Sequence, residues 1–269
     1  MLDSVTSLKG FRLNGLDGAI GHVKQFYFDD HFWTIRHLVA DTGGWLPRRQ
    51  VLISPYALGA IDRAERRIAV DLTKRQIEES PPLHSDQPVS RQFEERYFGY
   101  YAWPMYWTTV DRWGVLPYLP TDRTQRHTDP PGEKPTWDPH LRSTEDVTGH
   151  RVAAVDGMIG DISDFIVDDQ TWAIRYLVID THDWLIGKQV LVAPRWIARI
   201  SWPEQTVFVT VTRETIQRSP EYIDWKHVTR EYEERLYAHY RARGYWNEEA
   251  TPGIPTPGAR PGKTGSDDQ

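Results

Sequence analysis

The chain has no cysteine. Disulfides, thiolate nucleophiles and cysteine-ligated metal sites are excluded together, and a reducing compartment is the natural setting. No run reaches the roughly 18 apolar residues that a membrane-crossing helix needs. The opening stretch, Met1-Leu2-Asp3-Ser4-Val5, lacks the basic and apolar segments of a signal peptide. A soluble, cytoplasmic protein without a transmembrane segment is therefore expected, with peripheral membrane association left open. Basic excess is also missing, because the net charge is −6. Residues 1–110 carry 13 Lys+Arg against 13 Asp+Glu, so the whole acidic surplus lies in residues 111–269. Nucleic-acid binding leans on phosphate neutralisation, and nothing in this balance supports it. No Gly-x-Ser-x-Gly elbow, His-x-x-x-His pair or phosphate-cradling glycine loop occurs. The chain thus reads as a non-enzyme, with no catalytic residue, metal or cofactor expected.

What the chain does have is aromatic residues, with 12 Trp and 13 Tyr, enough for interfaces as well as cores. It also contains itself twice. Residues 4–107 lie over residues 143–246 without a gap, every pair being 139 positions apart. Gly10 falls on Gly149, Asp17-Gly18 on Asp156-Gly157, and Gly21 on Gly160. Asp29-Asp30 falls on Asp168-Asp169, Trp33 on Trp172, and Gln50-Val51-Leu52 on Gln189-Val190-Leu191. Glu94-Glu95-Arg96 falls on Glu233-Glu234-Arg235, and Tyr106-Trp107 on Tyr245-Trp246. The period is far longer than that of a solenoid, so this is a tandem duplication of one domain. It divides the chain into a first copy over 1–107, a Pro-rich linker over 108–142, a second copy over 143–246, and a polar Pro/Gly-rich tail over 247–269 in which disorder is expected.

Each copy begins with strands. In Gly18 to Asp30 the apolar positions change parity between Val23 and Phe26, and Ile162 and Phe165 repeat the change. A strand that swaps faces is bulged or strongly coiled. Trp33–Ala40 and Trp172–Ile179 predict second strands, apolar on both faces except for Arg36 and Arg175. Third strands end at Pro55 and Pro194, since proline cannot donate to a ladder. Two further short strands and tight turns complete the pattern of a small antiparallel barrel. A short helix then precedes Pro81 or Pro220. A longer one starts at Ser90 or Thr229, good N-cap residues with glutamates close behind. The fold class expected is mainly β with appended helices: two small antiparallel barrels in tandem, each followed by a short and a longer helix.

The order of these motifs resembles the PRC-barrel family. Glycine and Asp-Gly lead into a strand ending Asp-Asp, then come Trp-x-Ile-Arg-x-Leu-Val, Asp-Thr, Trp-Leu and a Gln-Val-Leu-[Ile/Val]-x-Pro strand. The resemblance covers about residues 4–80 and 143–219, but neither the aromatic helices nor the linker. Its members include the cytoplasmic domain of the photosynthetic reaction-centre H subunit and the C-terminal domain of a ribosome maturation factor. The resemblance implies a β-barrel module that binds macromolecules without catalysis, on a membrane-associated electron-transfer or ribonucleoprotein complex. Neither the H subunit's membrane anchor nor the maturation factor's second domain is expected here. The expected role is a cytoplasmic scaffold for a protein partner. The alternative is an enzyme or small-ligand protein with its site between the barrels, near His182 and Asp183.

The residues expected to meet a partner are Arg36, Arg175, Tyr97, Tyr101, Trp103, Tyr106, Trp107, Tyr240, Tyr245 and Trp246. An arginine inside an apolar strand must pair or snorkel. The two therefore form either buried pairs with carboxylates such as Asp41, Asp180 or Asp71, or anchors for an anion or partner. The aromatic stripes Phe93, Tyr97, Tyr100, Tyr101 and Tyr232, Leu236, Tyr240 recur at helical spacing. They pack on their own barrel, join the copies, or join two chains as a homodimer. Asp29-Asp30 and Asp168-Asp169 read as hairpin tips or as half of a carboxylate metal site. His182-Asp183 reads as a solvated turn or an acid–base pair. Arg48, Arg49, Arg63, Arg66 and Arg67 read as a solvated hairpin or a basic face for RNA.

Overall fold

A computed structural model describes residues 1–46, 51–82, 89–103, 105–107, 141–181 and 188–249. The expected linker (but for Leu141 and Arg142), the tail from residue 250, His182-Asp183, Arg48 and Arg49 lie outside the described residues. The first half runs β1 (Leu2–Ser4), α1 (Val5–Leu8), β2 (Arg12–Gly15), β3 (Gly18–Asp29), β4 (Thr34–Asp41), β5 (Val51–Ile53), β6 (Leu58–Asp62), β7 (Arg67–Val70), α2 (Lys74–Glu79) and α3 (Arg91–Tyr100). The second repeats the order as β8 (Leu141–Ser143), α4 (Thr144–Val147), β9 (Arg151–Ala154), β10 (Gly157–Asp168), β11 (Ile174–Asp180), β12 (Gln189–Val192), β13 (Ile197–Ser201), β14 (Thr206–Val209), α5 (Arg213–Gln217), α6 (Arg230–His239) and α7 (Trp246–Glu249).

The result is mainly β, two seven-stranded sheets with a few helices. One sheet runs β5-β4-β3-β2-β7-β6 and the other β12-β11-β10-β9-β14-β13. Two features depart from the antiparallel barrel expected. The hydrogen-bonded path of each sheet stays open, with ends at β5 and β6 or β12 and β13. The pairs β2–β7 and β9–β14 are parallel. Coiling follows the sequence: the pairing of β3 with β4 slips between Val23 and Gln25, and that of β10 with β11 between Ile162 and Asp164, where apolar parity changes. Gly21 and Gly160 sit just before these bulges at φ +155° and +156°. A Cβ there would lie 1.9 Å from the carbonyl oxygen of Asp41 or Asp180, so only glycine lets the strands approach.

The seventh strand of each sheet comes from the other half. β1 pairs with β10 through Leu2–Asp168, Asp3–Val167 and Ser4–Ile166. β8 pairs with β3 through Leu141–Asp29, Arg142–Phe28 and Ser143–Tyr27. Between these exchanged strands, Ile35 N–H donates to the Trp172 carbonyl at 2.8 Å and Ile174 N–H to the Trp33 carbonyl at 2.7 Å. Phe28 and Phe165 meet at 5.7 Å, Phe26 and Trp172 at 6.0 Å, inside one apolar core that spans both halves. The halves are therefore joined by strands and core, where packing through the long helices was one expectation. Those helices lie on their own sheets. Ser90 and Thr229 cap them as expected, each side-chain oxygen accepting an N–H three residues on. Among the described residues no helix is long and apolar enough to cross a membrane.

Candidate functional site

The hairpin between β3 and β4 is set by Asp29. Its Oδ1 accepts N–H bonds from His31 at 2.9 Å and Phe32 at 3.1 Å, which closes the turn. Asp168 does the same for Gln170 and Thr171 in the second half. The other oxygen of each faces the strand arginine: Arg36 lies 3.6 Å from Asp29, and Arg175 lies 3.2 Å from Asp168. The carboxylates expected for these arginines were Asp41, Asp180 and Asp71. Asp41 stands at the far end of β4, opposite His22, whereas the hairpin register folds Asp29 back beside Arg36.

Above each arginine lies a tyrosine ring. The Arg36 guanidinium sits 3.8 Å from the Tyr106 centroid and that of Arg175 3.9 Å from Tyr245. A second arginine, from the start of the long helix, covers the ring as well. Arg91 is 5.3 Å from Tyr106, and Arg230 is 5.4 Å from Tyr245. The tyrosine hydroxyls donate to buried glutamates one turn into the helix, Tyr106 to Glu94 at 3.0 Å and Tyr245 to Glu233 at 2.8 Å. The helix arginines close the circuit, Arg91 to Glu94 at 3.3 Å and Arg230 to Glu233 at 3.0 Å. They also cover Trp107 at 4.2 Å and Trp246 at 4.1 Å. One member differs between the halves. His37 Nε2 meets Glu94 at 3.0 Å, whereas the Tyr176 hydroxyl donates to Glu233 at 2.7 Å.

Burial governs the protonation of this network. It pushes the hydroxyls of Tyr106, Tyr176 and Tyr245 above the ordinary tyrosine value, with the neighbouring glutamate adding to the effect. These groups stay protonated and act as fixed donors. Burial also raises Glu233, against the opposing bonds from Tyr176 and Tyr245 and the charges of Arg230 and Arg175. It lowers Arg36, against the attraction of Asp29. The arrangement pairs internal charges and fixes the long helix to the sheet.

The expected partner-binding residues divide into two sets. Arg36, Arg175, Tyr97, Tyr106 and Tyr245 are buried. The Tyr97 hydroxyl donates to the Leu52 carbonyl at 2.6 Å. Tyr101, Trp103, Trp107, Tyr240 and Trp246 are half-buried along the outer edge of the long helices. Tyr101 stacks on Trp103 at 4.4 Å, and Tyr240 stacks on Trp196 at 4.0 Å. The first half carries a second apolar cluster here, with Tyr56, Trp103 and Met105 against its edge. The equivalent positions in the second half are Arg195, Ala242 and Gly244.

The second aspartate of each pair reaches across the halves: Asp30 accepts from Arg142 at 2.9 Å and Asp169 from Arg63 at 2.6 Å. Both pairs thus sit at hairpin tips with arginine partners, and no cluster of three metal-ligating side chains occurs among the described residues. Of the arginines read as a basic face, the three among the described residues have partners within the chain: Arg63 also holds Asp3, Arg66 covers Phe11 at 4.7 Å, and Arg67 pairs with Asp62 at the surface. The space between the halves near β3 and β10 is filled by Phe28, Trp33, Phe165 and Trp172, all buried. A cavity of about 10 Å³, room for one water, touches Arg36 and Tyr106. An open groove of about 450 Å³ lies on the second half, lined by Tyr222, Ile223, Asp224, His227, Tyr232 and Arg235 among others.

Sequence reasoning missed the glutamate at the centre of each network, which it used only as a helix-start signal. The available sign was Arg-x-x-Glu at the same register in both copies, Arg91 to Glu94 and Arg230 to Glu233. In comparison with known proteins, no family model and no curated protein matches the chain.

Proposed function

We propose that this protein is a non-catalytic binding scaffold made of two PRC-barrel-like modules, which presents aromatic helix edges to a protein partner. The observation that carries the reading is the repetition of a buried lock with a half-exposed rim. In each half the Asp–Arg–Tyr–Glu–Arg circuit holds the long helix rigidly, and Trp107 or Trp246 sits over its last arginine at the surface. Rigid, half-buried tryptophans are the side chains that anchor protein interfaces at low entropic cost. Two such rims on one frame suit a large or symmetric partner by avidity. The first half adds Trp103 and Met105 to its rim, so the two edges are chemically distinct.

The test is capture of partners from native lysate by the intact chain, by Trp107→Ala, by Trp246→Ala and by the double variant, with circular dichroism confirming the fold. A partner held by the wild type, weakened in each single variant and lost in the double supports the reading. Capture indifferent to both tryptophans, or turnover of a small molecule in the same preparations, rejects it. Nuclease-sensitive ribosomal proteins or a detergent-dependent membrane complex would identify the kind of assembly.

A further inference from the structure

The geometry points to a second copy of this chain as a partner, through exchange of whole halves at the strand seam. Each seven-stranded sheet is completed by a strand it does not own: β1 lies on β10, and β8 lies on β3. The seam is reciprocal, and its chemistry is local to each crossing. At one, Ser4 Oγ donates to Asp164, Thr6 N–H donates to the same carboxylate at 3.1 Å, and Arg63 bridges Asp3 and Asp169. At the other, Ser143 Oγ donates to Gln25 at 2.5 Å, Thr144 Oγ1 to the Phe26 carbonyl at 3.3 Å, and Arg142 binds Asp30 while lying 4.2 Å over Trp202. Apart from Arg63–Asp3 and Arg142–Trp202, which position those arginines within their own halves, each of these contacts joins the first half to the second.

None of the contacts requires both halves to belong to one chain. The covalent connection consists of residues 108–140, which lie outside the described residues. Those 33 residues reach about 110–120 Å when fully extended, at 3.3–3.6 Å per residue. A first half from one chain and a second half from another therefore close the same seam, twice per dimer, with no new surface. Closed and exchanged forms differ in the connection and in the entropy of association, so the monomer prevails in dilute solution and the dimer grows with concentration during folding. Exchange afterwards requires opening strands, core and ion pairs together, so each form persists once made.

The experiment uses the full chain carrying one of two different terminal tags. The two versions are unfolded in denaturant, mixed, and refolded together over a range of protein concentrations. Separately refolded chains are mixed as the control. The expected result is a species of twice the monomer mass that carries both tags, whose fraction rises with refolding concentration and survives dilution. The control gives none. A second variant, Ser4→Cys with Asp164→Cys in this cysteine-free chain, locates the contact: the disulfide falls within the chain in the monomer and between chains in the dimer. Absence of a doubly tagged species at every concentration overturns the inference. So does a doubly tagged dimer whose seam disulfides all remain within single chains.

Discussion

Replacing Arg36 with methionine tests what holds the long helix to the first sheet. Asp29 is 2% exposed and Arg36 4% exposed, so water cannot take over when the guanidinium is removed. Asp29 keeps the His31 and Phe32 amides but loses its cation. Removal of one partner from a buried pair costs about 3–5 kcal/mol, and within this figure the lost contact with the Tyr106 ring contributes about 1–2 kcal/mol. Most of the loss comes from the stranded carboxylate. Adding Asp29→Asn therefore returns about 2 kcal/mol, because the amide oxygen still closes the turn and carries no charge. Arg175→Met supplies the comparison. The Asp168 side chain is 17% exposed, so water reaches it, and the cost falls toward the about 1–3 kcal/mol of a polar group left without its partner. The assay is urea unfolding followed by tryptophan fluorescence and circular dichroism. The halves share one core, so a single transition is expected. The reasoning is refuted if Asp29→Asn adds its own loss to that of Arg36→Met, or if Arg175→Met costs more than Arg36→Met.

Three further outcomes follow from the same geometry. Tyr245→Phe removes one of the two tyrosine hydroxyls on buried Glu233 and is expected to cost about 1–3 kcal/mol in urea unfolding, with far-ultraviolet circular dichroism unchanged. Gly160→Ala drives a Cβ to within 1.9 Å of the Asp180 carbonyl, and the soluble yield of folded protein is expected to collapse, while Gly149→Ala, with nothing within 4 Å, costs about 1 kcal/mol or slightly more for its left-handed backbone. Glu233 has its folded-state pKa raised above the ordinary 4.5, so in the window just above 4.5 the folded form binds the proton that the unfolded form has released. Its contribution to stability therefore increases as pH falls through that window. Glu233→Gln is expected to remove this component, so subtracting its stability–pH profile from the wild type's should leave a rise toward acid, and a difference of the opposite slope would contradict the assignment.

Much of the local structure was legible in the residues because its causes are local. The N-caps Ser90 and Thr229 stand where their sequence context placed them. The parity change at Val23 and Phe26 marked a bulge, and Pro55 and Pro194 marked strand ends. The partners of Arg36 and Arg175 were less legible: composition required a carboxylate, but the choice of Asp29 over Asp41 depends on the turn that folds the hairpin. The exchanged strands could not be seen at all. Leu2–Ser4 and Leu141–Ser143 are three residues long, too short for periodicity to register. Their partners lie more than a hundred positions away, where only the assembled core decides the pairing.

The duplication itself separates two kinds of constraint. Positions identical in both halves, such as Asp29/Asp168, Arg36/Arg175, Glu94/Glu233 and Tyr106/Tyr245, form the same circuit in each half, and their identity is explained by mutual pairing. The half-buried rim is explained in part by the arginines it covers, which accounts for Trp107 and Trp246. Packing in the second half proceeds with Arg195, Ala242 and Gly244 where the first half has Tyr56, Trp103 and Met105, so the fold does not demand an aromatic edge at those three positions. Divergence on a shared frame is what two different contact surfaces require, and the first-half edge is where replacement by the second-half residues should alter binding while leaving the lock beneath it intact.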